Sequence, residues 1–366
     1  MSKPETLVIL TPAFPANEAD SNWLPAHHQL VKALKDQFPA MGIVVLAFLY
    51  PHHAGRYDWN GVSVISLNGM NRKGRWQRLL FWRDIWRALR QVRRQHRVIG
   101  IFSFWCGECA LIGHYFGLVH AIRHRCWISG QDAQKGNKWV KLIRPRGREL
   151  VAMSNFLRRN FRENYGIEPA FVIPNGIDAR LFSSGGQELS SGDQVLSSGS
   201  QPPERDIDIL AAGSLVPLKQ YEILVRVVDS LQQCFPDIKA LHCGEGEEKA
   251  RLQSQIIELG LERNLHLLGE IPHREVLQLM QRAKIFLHPS SREGFSTVCL
   301  EALYAGAQVI SFCDPADKQV PEWHIVENEA AMVTEAISIL DAPPEPKPVL
   351  LHSIDENARA VMELFR

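Results

Sequence analysis

Residues Ile285 to Phe312 read IFLHPSSREGFSTVCLEALYAGAQVISF. The apolar run Ile285-Phe286-Leu287 has the composition of a buried strand. It breaks at His288-Pro289-Ser290-Ser291, since proline cannot continue a strand ladder. From Ser296 the pattern turns helical, with Val298, Leu300, Ala302, Leu303 and Ala305 on the apolar side and Gly306 as a C-terminal stop. Another apolar run, Gln308 to Phe312, follows at once. Strand, polar turn, helix and strand make one βαβ unit, which places the turn at the carboxyl edge of a parallel sheet, where open α/β folds bind ligands.

Two carboxylates bracket this turn. Glu293 lies in the loop beside Gly294, and Glu301 lies eight residues on, inside the helix. Between them the backbone N–H groups of Phe295, Ser296 and Thr297 would face whatever occupies the helix N-terminus, where the dipole favours an anion such as phosphate. An anion held between two carboxylates that seek hydroxyls suggests a sugar on one side and a ribose on the other. A solvated turn residue and a helix-surface charge are the plainer reading of the same pair. A second pointer lies upstream, where the apolar stretch Asp208 to Ala212 opens into Gly213-Ser214-Leu215-Val216-Pro217-Leu218-Lys219-Gln220. A lysine just past such a turn can reach a diphosphate above the sheet edge.

The spacing Glu293 to Glu301, with its Pro-Ser, Glu-Gly-Phe and Leu-Glu-Ala context, resembles the nucleotide-sugar site of the retaining glycosyltransferases of family 4. Further residues carry the resemblance. Pro174-Asn175-Gly176-Ile177-Asp178 matches the segment at which family members first cross between domains, and Gly244-Glu245-Gly246 is a glycine turn of the kind that borders the donor cleft. The strand Asn264 to Gly269 ends in Glu270-Ile271-Pro272, where the family often clasps the base. The resemblance is strongest over residues 150–312 and architectural over 1–149. It implies an α/β fold of two Rossmann-like domains facing across a cleft, the GT-B arrangement.

What the resemblance implies about chemistry follows residue by residue. Glu301 would accept hydrogen bonds from the ribose and Glu293 would position the sugar hydroxyls. Lys219, with the Phe295 to Thr297 amides, would stabilise the departing diphosphate, while Gly213, Ser214, Gly244, Ile271 and Gly294 would line the donor. The family normally has an arginine where Ser214 stands, so one cation is missing. Gly130-Gln131-Asp132 corresponds to a family loop near the sugar or acceptor that often carries a His-Asp pair. Here Gln131 replaces the histidine, and Asp132 equally suits an Asx-type turn. The family's Gly-Gly-x-x-Glu segment after the last strand is replaced by CDPADKQVPEWHIVENEAAM and then the proline-rich APPEPKPVL. No metal and no cofactor is implied, the nucleotide sugar being a substrate.

Composition sets the wider frame. The chain has 366 residues, 45% hydrophobic and 22% charged, enough for two domains. The expected division is an N-terminal Rossmann-like acceptor domain over 1–174, a hinge and Ser/Gly-rich linker over 175–206, a nucleotide-sugar domain over 207–345 and a helical tail over 346–366. Seven scattered cysteines and no secretory leader pattern point to a reducing cytoplasm. Cys106-Gly107-Glu108-Cys109 lacks the second pair that a structural zinc needs.

Charge divides the chain. Residues 1–170 carry 25 Lys and Arg against 11 Asp and Glu, a balance of +14, while the remainder carries 16 against 29. Much of the excess falls in Arg72 to Arg97, with ten Lys or Arg and one Asp interleaved with Trp76, Leu79, Leu80, Trp82, Ile85, Trp86, Leu89 and Val92. These read as one apolar stripe on a basic helix, suited either to packing on a sheet or to an anionic membrane surface. Nucleic acid is disfavoured by the acidic second half. The loop after the first strand, Thr6 to Leu10, has no Gly-rich phosphate fingerprint.

The expected activity is transfer of a sugar from a nucleoside-diphosphate sugar to an acceptor hydroxyl with retained configuration, in cell-surface polysaccharide, lipopolysaccharide or glycolipid synthesis. The expected partners are the donor, a lipid-linked or saccharide acceptor and an anionic membrane contacted through Arg72 to Arg97. A nucleotide-sugar epimerase or a non-catalytic nucleotide-sugar-binding protein is the alternative.

Overall fold

The structure is a computed structural model that describes residues 3–20, 24–72, 74–182, 204–291, 295–313 and 319–366. Glu293 and Gly294, and nearly all of the Ser/Gly-rich linker, lie outside the described residues. The chain forms two compact units, residues 1–176 with 352–366, and residues 177–351.

The first unit is an eight-stranded sheet. Its strands are β1 (Glu5–Ala13), β2 (Gly42–Tyr50), β3 (Ala54–Trp59), β4 (Val62–Leu67), β5 (Arg97–Phe104), β6 (His124–Ile128), β7 (Leu150–Ala152) and β8 (Phe171–Val172). Helices α1 (Pro25–Gln37), α2 (Arg75–Gln95), α3 (Glu108–His120), α4 (Lys138–Ile143) and α5 (Asn155–Tyr165) connect them. The order is β3-β4-β2-β1-β5-β6-β7-β8, parallel throughout except for β3, which pairs antiparallel with β4 at the edge. Central strands such as β1 and β2 are almost continuously apolar because helices cover both faces.

Two elements depart from the sequence reading. Strand β3 was not anticipated, because AGRYDW carries little apolar content and lies mostly exposed at an edge. Helix α2 does not carry one stripe. Phe81, Ile85, Leu89 and Val92 are buried against the sheet, whereas Trp76, Leu79 and Leu80 point to solvent. At about 100° per residue the two sets occupy opposed faces.

The second unit has β9 (Ile207–Ala212), β10 (Ala240–Cys243), β11 (Leu265–Gly269), β12 (Ala283–His288), β13 (Gln308–Ser311) and β14 (Trp323–Ile325). Its helices are α6 (Glu222–Gln232), α7 (Lys249–Glu258), α8 (His273–Arg282), α9 (Thr297–Tyr304) and α10 (Glu329–Asp341). All strand pairs are parallel, in the order β11-β10-β9-β12-β13-β14. This is the 3-2-1-4-5-6 order of doubly wound nucleotide-binding sheets, with the strand order reversing between β9 and β12. One core of aliphatic side chains, among them Ile209, Val227, Val228, Leu252, Ile285 and Ile310, fills the face under α6, α7 and α10.

The last helix, α11 (Ile354–Glu363), belongs to the first unit and packs on α1. Phe365 fills the space over Gly100 on β5, where an added Cβ would lie 2.0 Å from the ring. Asn357 donates to the Pro174 carbonyl, fixing the segment Pro174-Asn175-Gly176 to the chain's end.

Candidate active site

Ligand crevices in doubly wound sheets open where the strand order reverses, outside the carboxyl ends of the strands. In the second unit these are the ends of β9 and β12. They carry the Gly213 to Gln220 loop and the loop into α9, the two stretches singled out in the sequence.

Backbone contacts build the β9 loop. Gly213 N–H donates to Cys243 O at 2.9 Å, Leu215 N–H to Glu245 O at 2.9 Å, and Glu248 N–H to Leu215 O at 3.1 Å. The loops after β9 and β10 are thereby zipped together. Gly244 makes this approach possible, for its φ is +139° and a Cβ there would stand 2.1 Å from the Gly213 carbonyl oxygen. Beneath them the buried Tyr221 hydroxyl donates to Ala212 O at 2.9 Å. The chain then makes a single turn, Pro217–Lys219, which leaves Ser214 exposed and Lys219 half-buried.

The hydroxyls of Ser290 and Ser291 each donate to Leu218 O at 3.4 Å, so the lysine's turn adjoins the loop that leads into α9. Ser296 precedes the first turn of α9 and is buried, as is Phe295, and Ser296 Oγ lies 3.4 Å from His288 Nε2 at the end of β12. Thr297 opens the helix. The amides of Phe295, Ser296 and Thr297 thus stand at the N-terminus of a helix rising from the reversal point, a favourable place for an anion.

Glu301 is buried in α9 and was expected to meet a ribose. The structure gives it a partner that the sequence did not announce: His273 Nε2, on the first residue of α8, lies 2.8 Å from Glu301 Oε1. Burial by itself lowers the His273 pKa, but the charge and hydrogen bond of Glu301 outweigh it and the net shift is upward. Because His273 follows Ile271-Pro272, this pair also sets the end of β11, with half-buried Ile271, beside α9. No spacing among fourteen histidines marks His273; only the packing of α8 on α9 closes the 28-residue gap.

The first unit reverses its strand order between β1 and β5, and its carboxyl edge is aromatic. Trp105, just past β5, has a left-handed φ of +67°, a strained conformation for a bulky residue. His27 lies flat on Phe104 with ring centroids 3.9 Å apart and meets Trp105 edge-on at 5.5 Å. Burial, with a smaller contribution from His28, pushes the His27 pKa down to about 3, so the ring is neutral. After β6, Gln131 is exposed, while the buried Asp132 accepts from Ser129 N–H at 2.7 Å and Ser129 Oγ at 3.1 Å. The carboxylate thus reaches back three residues and closes the Ser129–Asp132 turn, whose Asp132 N–H donates to Ser129 O at 3.1 Å, which is not the forward bond of an Asx turn, and burial raises the Asp132 pKa.

With this geometry in view, the comparisons with known proteins are specific. The family model described as Glycosyltransferase Family 4 matches residues 28–181, and that described as Glycosyl transferases group 1 matches residues 194–339. Between them they take in most of the chain, which belongs to the group 1 glycosyltransferases of family 4, with the two-domain GT-B fold.

Among its relatives is the phosphatidylinositol N-acetylglucosaminyltransferase gpi3 subunit of Schizosaccharomyces pombe, 24% identical over 279 residues, 74% of this chain and 58% of that protein. Another is the 2-deoxystreptamine N-acetyl-D-glucosaminyltransferase of Niallia circulans, 29% identical over 103 residues, 28% of this chain and 26% of that one. The chain spans between a quarter and 58% of the length of these curated relatives. Similar solved structures include Anabaena Alr3699/HepE in complex with UDP, with a TM-score of 0.64, 16% identity and coverage of 97% and 94% of the two chains. Sucrose-phosphate synthase from Thermosynechococcus elongatus superposes with a TM-score of 0.67 at 16% identity, covering 100% of this chain and 95% of the other. At such identities the likeness is one of fold.

Proposed function

We propose that this chain is a retaining, metal-independent hexosyltransferase that moves a sugar from a nucleoside-diphosphate sugar to an acceptor hydroxyl. The observation that carries the reading is the convergence at the β9–β12 reversal, where the turn bearing Lys219 is tied through Leu218 to the loop that opens α9. Solved neighbours of the same fold hold UDP and UDP-glucose, which favours a nucleoside diphosphate as the ligand class.

In the proposed reaction the bond between the anomeric carbon and the diphosphate oxygen breaks, and the acceptor oxygen bonds to the same face of that carbon. The acceptor proton passes to the departing phosphate. Lys219 and the amides at the start of α9 offset the charge that develops on the diphosphate, the contribution that preorganised donors make to such transition states. Glu301, held by His273, orients the ribose, Glu293 orients the sugar hydroxyls, and Ile271 borders the base. The first unit, with Gln131 beside its aromatic edge, receives a saccharide or lipid-linked acceptor. Work at the cytoplasmic face of a membrane, in polysaccharide, lipopolysaccharide or glycolipid synthesis, completes the reading.

The test is transfer from radiolabelled nucleotide sugars to membrane-lipid and oligosaccharide extracts. Lys219→Ala and Glu293→Gln are each expected to abolish most of the transfer while donor-induced thermal stabilisation of the wild type identifies the nucleotide. Wild-type rates in both variants would refute the site, and isomerised donor without transfer would make the protein an epimerase.

A further inference from the structure

The first unit leaves an apolar surface on α2, α3 and α4 that the reaction above does not use. On α2 the outward line begins with Trp76, Leu79 and Leu80, of which Trp76 is 81% exposed, and continues as Arg83, Arg87, Arg90 and Arg94. On α3 the residues Leu111, Tyr115, Leu118 and Val119 recur at helical spacing on one side, with Leu118 60% and Val119 64% exposed. Between the helices runs a groove of about 470 Å³ whose floor is Leu111 and Ile112 and whose walls are Trp82, Trp86, Tyr115 and Leu142.

The groove is firmly built. Arg78 Nε donates to Glu108 Oε1 at 2.5 Å and the Trp82 indole N–H donates to the same carboxylate, clamping the start of α2 to the start of α3. Trp86 packs edge-on against Phe116 at 4.9 Å, and the Tyr115 hydroxyl donates to Leu142 O at 3.0 Å, joining α3 to α4. Charge around the groove has one sign. Lys138, Lys141 and Arg144 on and after α4 are exposed beside Leu142. The only carboxylates on the three helices are Asp84 and Glu108; Glu108 is engaged by Arg78, and Asp84 by Arg72 at 2.6 Å and, more loosely, by Arg83 and Arg87 of the arginine line at 3.3 and 3.6 Å, so the uncompensated charge of this surface is positive.

We infer that this surface seats the protein on an anionic phospholipid bilayer, with Trp76, Leu79 and Leu80 inserted among the lipids, one acyl chain in the α2–α3–α4 groove and the arginine line on the headgroup phosphates. Large apolar side chains followed by cations on one helical face, beside a basic-rimmed apolar groove, match the layered chemistry of a lipid surface: hydrocarbon below, phosphate above. An acidic protein partner would complement the arginines but not an exposed tryptophan and a chain-sized groove together. Topology adds a reason for the site's position. Strand β4 ends at the carboxyl edge of the sheet and β5 begins at the other, so α2 starts at the carboxyl edge. The insertion point therefore lies on the side of this unit where its aromatic edge opens.

This inference deepens the membrane part of the proposed function and rests on it, while its test needs no sugar donor and so fails separately. The protein is floated with phosphatidylcholine vesicles and with vesicles containing phosphatidylglycerol, some with mid-chain-brominated acyl groups. Binding to the anionic vesicles only is expected, with bromine quenching tryptophan emission. The exposed triple variant Trp76→Ser, Leu79→Ser, Leu80→Ser should bind about tenfold more weakly at an unchanged melting temperature. Leu142→Glu at the groove mouth should reduce bromine quenching, a second readout if the triple variant folds poorly. Absence of flotation, equal binding to neutral vesicles, or undiminished binding of the triple variant would overturn the inference. So would concentration-dependent dimers that the triple variant abolishes without any vesicle binding, since the surface would then serve a second copy of the chain.

Discussion

At the carboxyl edge of the second unit's sheet the chain presents glycine, backbone amide and charge; at the same edge of the first it presents stacked rings and a neutral buried imidazole. Gly244, the zipped β9 and β10 loops, Lys219 and the His273–Glu301 pair make the one. Phe104, His27 and Trp105 make the other. Both sheets reverse their strand order in the middle, so topology provides a crevice in each, and the residues after the strands decide its chemistry. A phosphate needs donors and a close backbone approach, which glycine allows. The aromatic edge of the first unit offers ring faces in place of a glycine-lined backbone approach.

The sharpest way to break that contrast is at the buried ion pair. His273→Ala leaves the Glu301 carboxylate inside the protein without its hydrogen-bond partner and, at pH values where the imidazole is protonated, without its cation; there it should cost the second unit about 3 kcal/mol in urea denaturation. Hydrogen exchange in β1 and β5 should stay unchanged. The sign of its pH dependence follows from the raised His273 pKa. The ionic contribution is complete below the ordinary histidine value and is lost as pH rises through the raised one, so the variant's deficit should shrink towards alkaline pH.

Lys219→Ala should leave stability nearly unaltered but lower kcat about 100-fold, close to 2.7 kcal/mol of transition-state stabilisation, in steady-state transfer assays. Gly244→Ala forces a Cβ onto the Gly213 carbonyl and should cost about 2 kcal/mol, with weaker donor binding by calorimetry.

Acid tests the neutral imidazoles of both units. Burial is the main cause that holds His27, His124 and His242 at about 3 against an ordinary 6.5. Their contribution is complete above pH 6.5 and drains as pH falls towards 3, at about 1.4 kcal/mol per pH unit for each, measurable as a falling denaturation midpoint. The smallest effect belongs to the exposed face of α2, where Trp76→Ser should change stability by less than about 0.5 kcal/mol.

Local chemistry is what the sequence made legible. Ile285 to Phe312 declares strand, turn, helix and strand because proline, glycine and apolar periodicity act over a few residues, and the observed β12, α9 and β13 follow that outline. Lys219 was legible for the same reason, lying a short turn after a strand. His273 was not, because its meaning depends on a residue 28 positions away on another helix. Nor was the division of α2. Its apolar residues read as one stripe, and Phe81, left out of that stripe, is fully buried, whereas Trp76 within it is the most exposed of the large apolar side chains described.

The sequence by itself thus determined the alternation of strands and helices, the two loops that leave β9 and β12 and the uneven charge of the two halves, since each is set by neighbours along the chain. Only the tertiary structure decided that Glu301 acquired a histidine, which face of α2 met the sheet and that the last helix, α11, returns to the first unit. Those outcomes depend on which surfaces exclude water from one another, and exclusion is settled by the packed fold, not by any segment alone.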